Sequence, residues 1–291
     1  MSRKTKISVA LATYNEEDTI GPCLEAVKDL AGEIVIVDGT SADKTREIAS
    51  RYGAKIIITN NPPVFHINKQ KALEACRNEW ILQLDADERV SQELAAEIKR
   101  VIEMDDRQIE DYQQSLPDRK LFLKHQELLI KRDGQIGTVS SEFCGFFIPR
   151  LNYFLGKFLW YGGVYPDGVI RLVKKGKAYF PCKSVHEQIV IRGRAGWLQN
   201  SLYHFNDMTF KDYLLRNSKY INLIVGELKE RRLEKNLVSL ADYCLVKPIW
   251  WFLLTQVRHK GILDGFQGVV FSFFSALRFP RAYWRFLKSK S

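Results

Sequence analysis

The chain has 291 residues, 46% hydrophobic and 27% charged, with a formal net charge of +10. That length suits one large α/β domain with an appendage, easily enough to bury a sizeable core, and no internal repeat or low-complexity segment is present. Its five cysteines, Cys23, Cys76, Cys144, Cys182 and Cys244, are odd in number and lack Cys-x-x-Cys spacing, which excludes a disulfide framework or zinc site as the organising feature and fits a reduced cytoplasmic setting.

In chain order, the first residues are basic, but the apolar run after Lys6 lasts only six residues before Thr13. It is too short for the core of a signal peptide and reads as the first strand. Further strand-like runs cover 34–38, 55–59 and 80–84. Between the first two, Ile20, Leu24 and Val27 recur at helical spacing behind Glu16-Glu17-Asp18, acids suited to a positive helix N-terminus. Between the second and third, Ser41 is the expected N-cap and Gly53 the expected C′ residue of a helix carrying Ile48 and Ala49. Strands alternating with helices predict βαβ units and a parallel sheet buried on both faces. No Gly-x-Gly-x-x-Gly follows the first strand and no Gly-x-x-x-x-Gly-Lys-Ser/Thr occurs, so a dinucleotide oxidoreductase and a P-loop ATPase lose ground.

The fourth run, Trp80-Ile81-Leu82-Gln83-Leu84, ends in Asp85-Ala86-Asp87-Glu88. Two acids one residue apart, past the C-terminal end of a strand, stand where ligands bind in an open α/β sheet. They suit a hard cation such as Mg²⁺ or Mn²⁺ paired with a diphosphate; taken alone, an Asp-x-Asp also fits a solvated loop. Thr13-Tyr14-Asn15-Glu16-Glu17 after the first strand, Asp38 after the second, and Asp85 and Asp87 after the fourth are expected to converge on one crevice.

Ala12-Thr13-Tyr14-Asn15-Glu16-Glu17, Val37-Asp38-Gly39-Thr40-Ser41-Ala42-Asp43 and Leu84-Asp85-Ala86-Asp87-Glu88 resemble the inverting glycosyltransferases of family 2, with the GT-A fold. Past this half, 148–156, Gly162-Gly163-Val164-Tyr165-Pro166-Asp167, Arg171-Leu172 and Val185-His186-Glu187 are similar to the bacterial branch that adds a sugar to the inner core of lipopolysaccharide. The resemblance implies a GT-A fold with a mixed, mainly parallel sheet and helices on both faces, and a donor site built from Thr13, Tyr14, Asn15, Glu17, Asp38, Lys69 and Asp85. Tyr14 would stack on uracil, and Asp38 would accept its N3–H; packing and helix capping are the alternatives. Asp85 would meet ribose or the metal's water shell, and Asp87 the metal itself, Mn²⁺ or Mg²⁺. Lys69, in Asn68-Lys69-Gln70 where the family has Gln-Arg-Asn, is either a cation near the donor or a helix-surface lysine. Glu187 is the expected base, Asp167 and Arg171 pocket residues, and His186 a supporting partner, a metal ligand or a structural histidine. The role of His204 is left open. Trp160-Tyr161-Gly162-Gly163-Val164 replaces the branch's Arg-His-Gly-Gly-Trp, so no particular acceptor sugar carries over.

These readings divide the chain into a GT-A domain, 1–208, and a helical tail, 209–291. The domain comprises a nucleotide-sugar half (1–104), a charged insertion (105–142), read as a flap or a surface excursion, and an acceptor half (143–208). The tail carries fifteen Lys and Arg against six Asp and Glu, interleaved with Trp and Phe. Lys247 and Arg258 bound one apolar piece at about ten residues and Asp264 interrupts another, both short of the roughly 20 a bilayer crossing needs. A monotopic anchor on an anionic membrane is expected, with a buried helical pair as the alternative. No helix-turn-helix, zinc or ribonucleoprotein motif supports nucleic-acid binding. The expected function is transfer of a hexose, glucose first, from a UDP-sugar to a lipopolysaccharide-core or other membrane-linked glycan, by an enzyme peripheral on the cytoplasmic face of a bacterial inner membrane. The alternatives are a same-fold transferase for another polysaccharide or lipid-linked acceptor, or a catalytically silent sugar-nucleotide-binding protein.

Overall fold

A computed structural model describes residues 7–134, 136–138, 142–182 and 188–289. The nucleotide half alternates as its hydrophobic pattern requires: β1 (Ile7–Thr13), α1 (Ile20–Glu25), β2 (Glu33–Asp38), α2 (Thr45–Arg51), β3 (Lys55–Ile58), α3 (His66–Ala75), β4 (Trp80–Leu84), β5 (Glu88–Val90) and α4 (Gln92–Val101). Ser91 caps α4 by accepting from the Leu94 amide at 3.0 Å. Two helices follow, α5 (Asp106–Ser115) and α6 (Arg119–Asp133), then β6 (Phe143–Ile148), β7 (Arg150–Phe154), β8 (Lys157–Leu159), β9 (Val169–Lys174), β10 (Ala178–Tyr179), β11 (Val190–Ile191), β12 (Arg194–Trp197) and β13 (Leu202–His204).

A seven-stranded sheet runs β12-β6-β9-β4-β1-β2-β3. Its β4-β1-β2-β3 part is parallel, as the βαβ pattern predicts, and β9 lies antiparallel to both β4 and β6, so the sheet is mixed and mainly parallel. Every residue of β4 is buried and β3 is largely uncovered, as a central strand and an edge strand should be. One expected detail differs. Helix α2 begins at Thr45, not after Ser41, because Asp38 engages Ser41 first; Gly53 does stand beyond the C-cap Tyr52, at φ +69°.

The chain forms two compact units: Met1–Arg150 with Pro166–His204, and Leu151–Tyr165 with Phe205–Ser291. Residues 151–165 thus belong with the tail, across the boundary drawn at 208. In the first unit the two helices of the 105–142 stretch, α5 and α6, are tied into the sheet. Gln113 and Gln126 bond Trp197, whose ring stacks on Phe122 and Phe147, and the Gly168 amide donates to His125 Nε2 at 3.1 Å. A Cβ on Gly168 would lie 2.2 Å from the Trp197 ring, so only glycine admits this approach.

In the second unit, the β7–β8 hairpin is fastened to a 3₁₀ turn, Gly261–Asp264, whose buried Asp264 carboxylate accepts from the Trp160 and Tyr161 amides at 3.1 and 2.8 Å. Asp264, which appeared to break an apolar run, is a buried acceptor. The helices are α7 (Phe210–Glu230), a continuous helix Leu237–Arg258 with two π-helical turns, α8 (Phe266–Ala276) and α9 (Arg278–Lys288). The expected ten-residue apolar piece is therefore part of a 22-residue helix long and apolar enough to cross a membrane, by length and composition. Lys247 does not end it: its ammonium pairs with Asp242 and lies 3.7 Å from the centre of the Tyr243 ring, and Pro248 falls where the preceding π turn, Asp242–Val246, takes up the break.

Candidate active site

At the C-terminal ends of β1 and β4, beside α3, the first unit holds a cleft of about 350 Å³. Thr13 and Tyr14 come from β1 and the turn after it, Phe65, Asn68 and Lys69 from the start of α3, Asp85 and Asp87 from the turn after β4, and His204 from β13. The Tyr14 ring is exposed. β13 runs antiparallel to β5 with His204 opposite Glu88, which carries the imidazole to within 3.4 Å (Nε2 to Oδ2) of Asp87.

The two acids have different surroundings. Asp85 spends both oxygens on cations, with Lys69 Nζ 2.5 Å from Oδ1 and Arg171 Nη2 2.6 Å from Oδ2. Beneath it Glu88, 0% exposed, accepts from the Asp85 amide at 3.0 Å and from Arg171 Nη2 at 2.7 Å, with Arg150 at 3.4 Å. Arg150 also pairs with Asp167 at 2.9 Å, and Arg171 donates to Gln83. Three carboxylates and three cations thus close a neutral network around the buried Glu88, Arg171 and Lys69, the arrangement that lets charges leave water. Burial opposes the Asp85 anion, yet Arg171 and Lys69 outweigh it and hold the carboxyl well below its ordinary range. Burial lowers the Lys69 pKa despite Asp85. Asp87 lies outside this network. Burial raises its pKa, and the hydrogen-bonded His204 beside it turns the balance downward. Glu16, on the same wall, is pushed up mainly by burial, with Asp87 and Asp85 adding to the rise and a hydrogen bond from Thr19 opposing it.

Of the anticipated donor residues, the structure brings Thr13, Tyr14, Lys69, Asp85 and Asp87 to the cleft. Asn15, Glu17 and Asp38 are not on its wall. Asp38 is 0% exposed, and its carboxylate accepts from Thr13 Oγ1, Ser41 N and Ser41 Oγ at 2.9, 2.8 and 2.6 Å. Asn15 Oδ1 accepts from the Ala42 amide at 2.8 Å, and Glu17 Oε2 from the Lys44 amide at 3.0 Å. These three clasp the loop after β1 to the loop after β2. Lys69 is a buried cation, not a helix-surface lysine. Arg171 and Asp167 belong to the ion network. His186 and Glu187 lie outside the described residues. Sequence reasoning placed Glu16 in the crevice without a role, missed Asn68 and Glu88 as site residues and left His204 undecided; for Glu88 the signal was its place in the acid run, whereas β13 meets β5 only through the fold.

The mixed sheet and the acid pair at its strand ends define a GT-A-fold glycosyltransferase. The family described as Glycosyl transferase family 2 matches residues 8–165, over half of the chain, and the chain belongs to that family; the transfer is accordingly inverting. The lipopolysaccharide core biosynthesis glycosyltransferase LpsC of Rhizobium meliloti is 27% identical over 96% of this chain and 93% of its own length. An uncharacterized glycosyltransferase of Rickettsia felis is 25% identical over 98% of this chain and 92% of its own. Among solved structures, glucosyl-3-phosphoglycerate synthase from Mycobacterium tuberculosis with Mn²⁺ and UDP-glucose gives a local match: 25% identity, 30% of this chain, 34% of that chain, TM-score 0.27.

Proposed function

We propose that this enzyme transfers a hexose, glucose in the first instance, from a UDP-sugar to a lipopolysaccharide-core or similar membrane-linked glycan, as a peripheral protein on the cytoplasmic face of a bacterial inner membrane. The observation that carries the donor reading is the unequal partnering of the acid pair: Asp85 is closed by two cations while Asp87 is left facing the cleft with His204. The full-length similarity to LpsC supports the acceptor class. Glucose rests on the resemblance alone.

In this reading Tyr14 stacks on the uracil, and Lys69, dry and fixed by Asp85, faces the diphosphate. Asp38 acts from behind, orienting Thr13 and Ser41. Among the described residues no group of three or more His, Cys, Asp or Glu side chains forms a metal site by itself. Asp87 and His204 nonetheless offer the oxygen and nitrogen donors Mn²⁺ or Mg²⁺ accepts, and they would hold the ion together with diphosphate oxygens. Bound there, a divalent ion would stabilise the negative charge of the departing diphosphate. Glu187 takes the proton of the acceptor hydroxyl as its oxygen attacks the anomeric carbon and the bond to the diphosphate breaks.

The test is isothermal titration with UDP, with and without Mn²⁺, on the wild type and Asp87→Ala. Binding that requires both Mn²⁺ and Asp87 is the expected result; absence of UDP binding under every condition removes the donor assignment.

A further inference from the structure

The helix Leu237–Arg258 presents a dilemma that its side chains resolve. Its 22 residues measure about 33 Å at 1.5 Å per residue, enough for a bilayer core. Leu245, Val246, Ile249, Trp250, Leu253 and Val257 are each between 51% and 73% exposed, an apolar surface of a kind that soluble monomers rarely show. The opposite side is bound to the protein by polar contacts. Gln256 Nε2 donates to the Gly268 carbonyl at 3.0 Å and to Ser272 Oγ at 2.6 Å, Trp251 Nε1 donates to Ser275 Oγ at 3.0 Å, and Thr255 and Gln256 are buried. The middle of the helix carries the Asp242–Lys247 ion pair. A spanning pose would put that pair near the bilayer midplane, where each charge costs about 2.5 kcal/mol or more, and would strip the bonds to α8.

We infer that this helix lies in the plane of an anionic phospholipid surface, with the Leu245–Val257 stripe inserted among the acyl chains and the Gln256 side kept on the protein. Charge complementarity selects the occupant. The tail from residue 209 carries fifteen Lys and Arg against six Asp and Glu, and Arg258 and Lys260 stand at the end of the apolar stripe. Cations in register with a shallow apolar face gain both headgroup attraction and apolar burial. The inference deepens the membrane-linked acceptor reading but needs none of the donor assignments, so UDP titration and vesicle binding succeed or fail separately.

The experiment uses the full chain and extruded vesicles of phosphatidylcholine with or without 30 mol% phosphatidylglycerol. Cosedimentation should be at least tenfold stronger with phosphatidylglycerol and should weaken from 0.1 to 0.5 M NaCl. Ile249→Glu and, separately, Leu253→Gln should each reduce it several-fold while leaving the far-UV circular dichroism and UDP binding unchanged, since both side chains are exposed. The part of the tryptophan emission lost in Trp250→Phe should be quenched more by a nitroxide near the headgroup than by one near the chain end. Three results would overturn the inference: equal binding to neutral and anionic vesicles; retention after alkaline carbonate washing with deeper quenching stronger, which marks a spanning helix; or a doubled mass without lipid that Ile249→Glu halves, which marks a contact between copies.

Discussion

The two units invert the usual rule of burial in opposite ways. The first hides charges: Asp85, Glu88 and Asp167 meet Lys69, Arg150 and Arg171 at the base of the cleft. The second exposes apolar groups along Leu237–Arg258. Each inversion costs stability in isolation, through desolvated ions in one case and hydrated hydrocarbon in the other. The ions of this network are compensated within the protein, because each of the six has a partner of opposite sign. The apolar stripe is exposed, and the lipid surface inferred above would supply its compensation. The first construction holds the geometry of a cleft; the second suits a surface that, on the inference above, meets a lipid phase.

The strongest way to break this contrast is to remove one member of the buried network. Glu88→Ala leaves Arg171 and Arg150 facing too few carboxylates in a dry site, and it also frees the Asp85 amide. A loss of about 3–5 kcal/mol in urea denaturation is expected, with weaker UDP binding. By contrast, Leu245→Gln on the stripe should change stability by less than about 0.5 kcal/mol. Equal effects from the two substitutions would erase the distinction between the regions. Chemistry is the next step down. Glu187→Gln should leave UDP affinity within about twofold and lower turnover by on the order of 10²-fold, as loss of a general base does; full activity in that variant would disqualify Glu187. In the second unit, Gln256→Ala leaves the Gly268 carbonyl and the Ser272 hydroxyl with a lost partner, for an expected cost of about 1–3 kcal/mol. Faster amide exchange across 247–258, with unchanged exchange in β1 and β4, is the signature to look for.

The nucleotide half was legible because local pattern and tertiary burial agree there. The runs at 7–12, 34–38, 55–59 and 80–84 are observed as strands within one residue at each end, and the buried β1, β2 and β4 are largely apolar as parallel strands covered on both faces should be. The antiparallel β9 and the pairing of β13 with β5 were not legible, because they join residues far apart in sequence. Site residues followed the same division. Asp85 and Asp87 announce themselves by following a strand, whereas Asp38, equally prominent in sequence, turns inward to hold Ser41 and Thr13. No pattern in a single sequence distinguishes a carboxylate facing a cleft from one bracing two loops. The long helix was misjudged because Lys247 was taken as the start of the apolar piece that ends at Arg258. An ion pair one π turn apart and a ring beneath the lysine allow the helix to pass through it.

The smallest effect tests whether the 105–142 helices belong to the charged or the apolar style of construction. His125 on α6 accepts from the Gly168 amide through Nε2, so that nitrogen must be unprotonated. Burial lowers the His125 pKa from its ordinary 6.5, with Asp167 acting to raise it and Arg132 to lower it. Below about pH 6.5 the unfolded chain takes up a proton at His125 that the folded chain resists, so stability is complete above that value and declines as the pH falls toward the lowered folded pKa. Loss of the Gly168 bond is worth about 0.5–1.5 kcal/mol. His125→Gln keeps an acceptor and removes the titration. Urea midpoints measured from pH 7.5 to 5 should therefore converge: the wild type declines more steeply on acidification than the variant. Parallel pH profiles would mean that α6 is held by the Trp197 contacts alone, and that His125 serves only as packing.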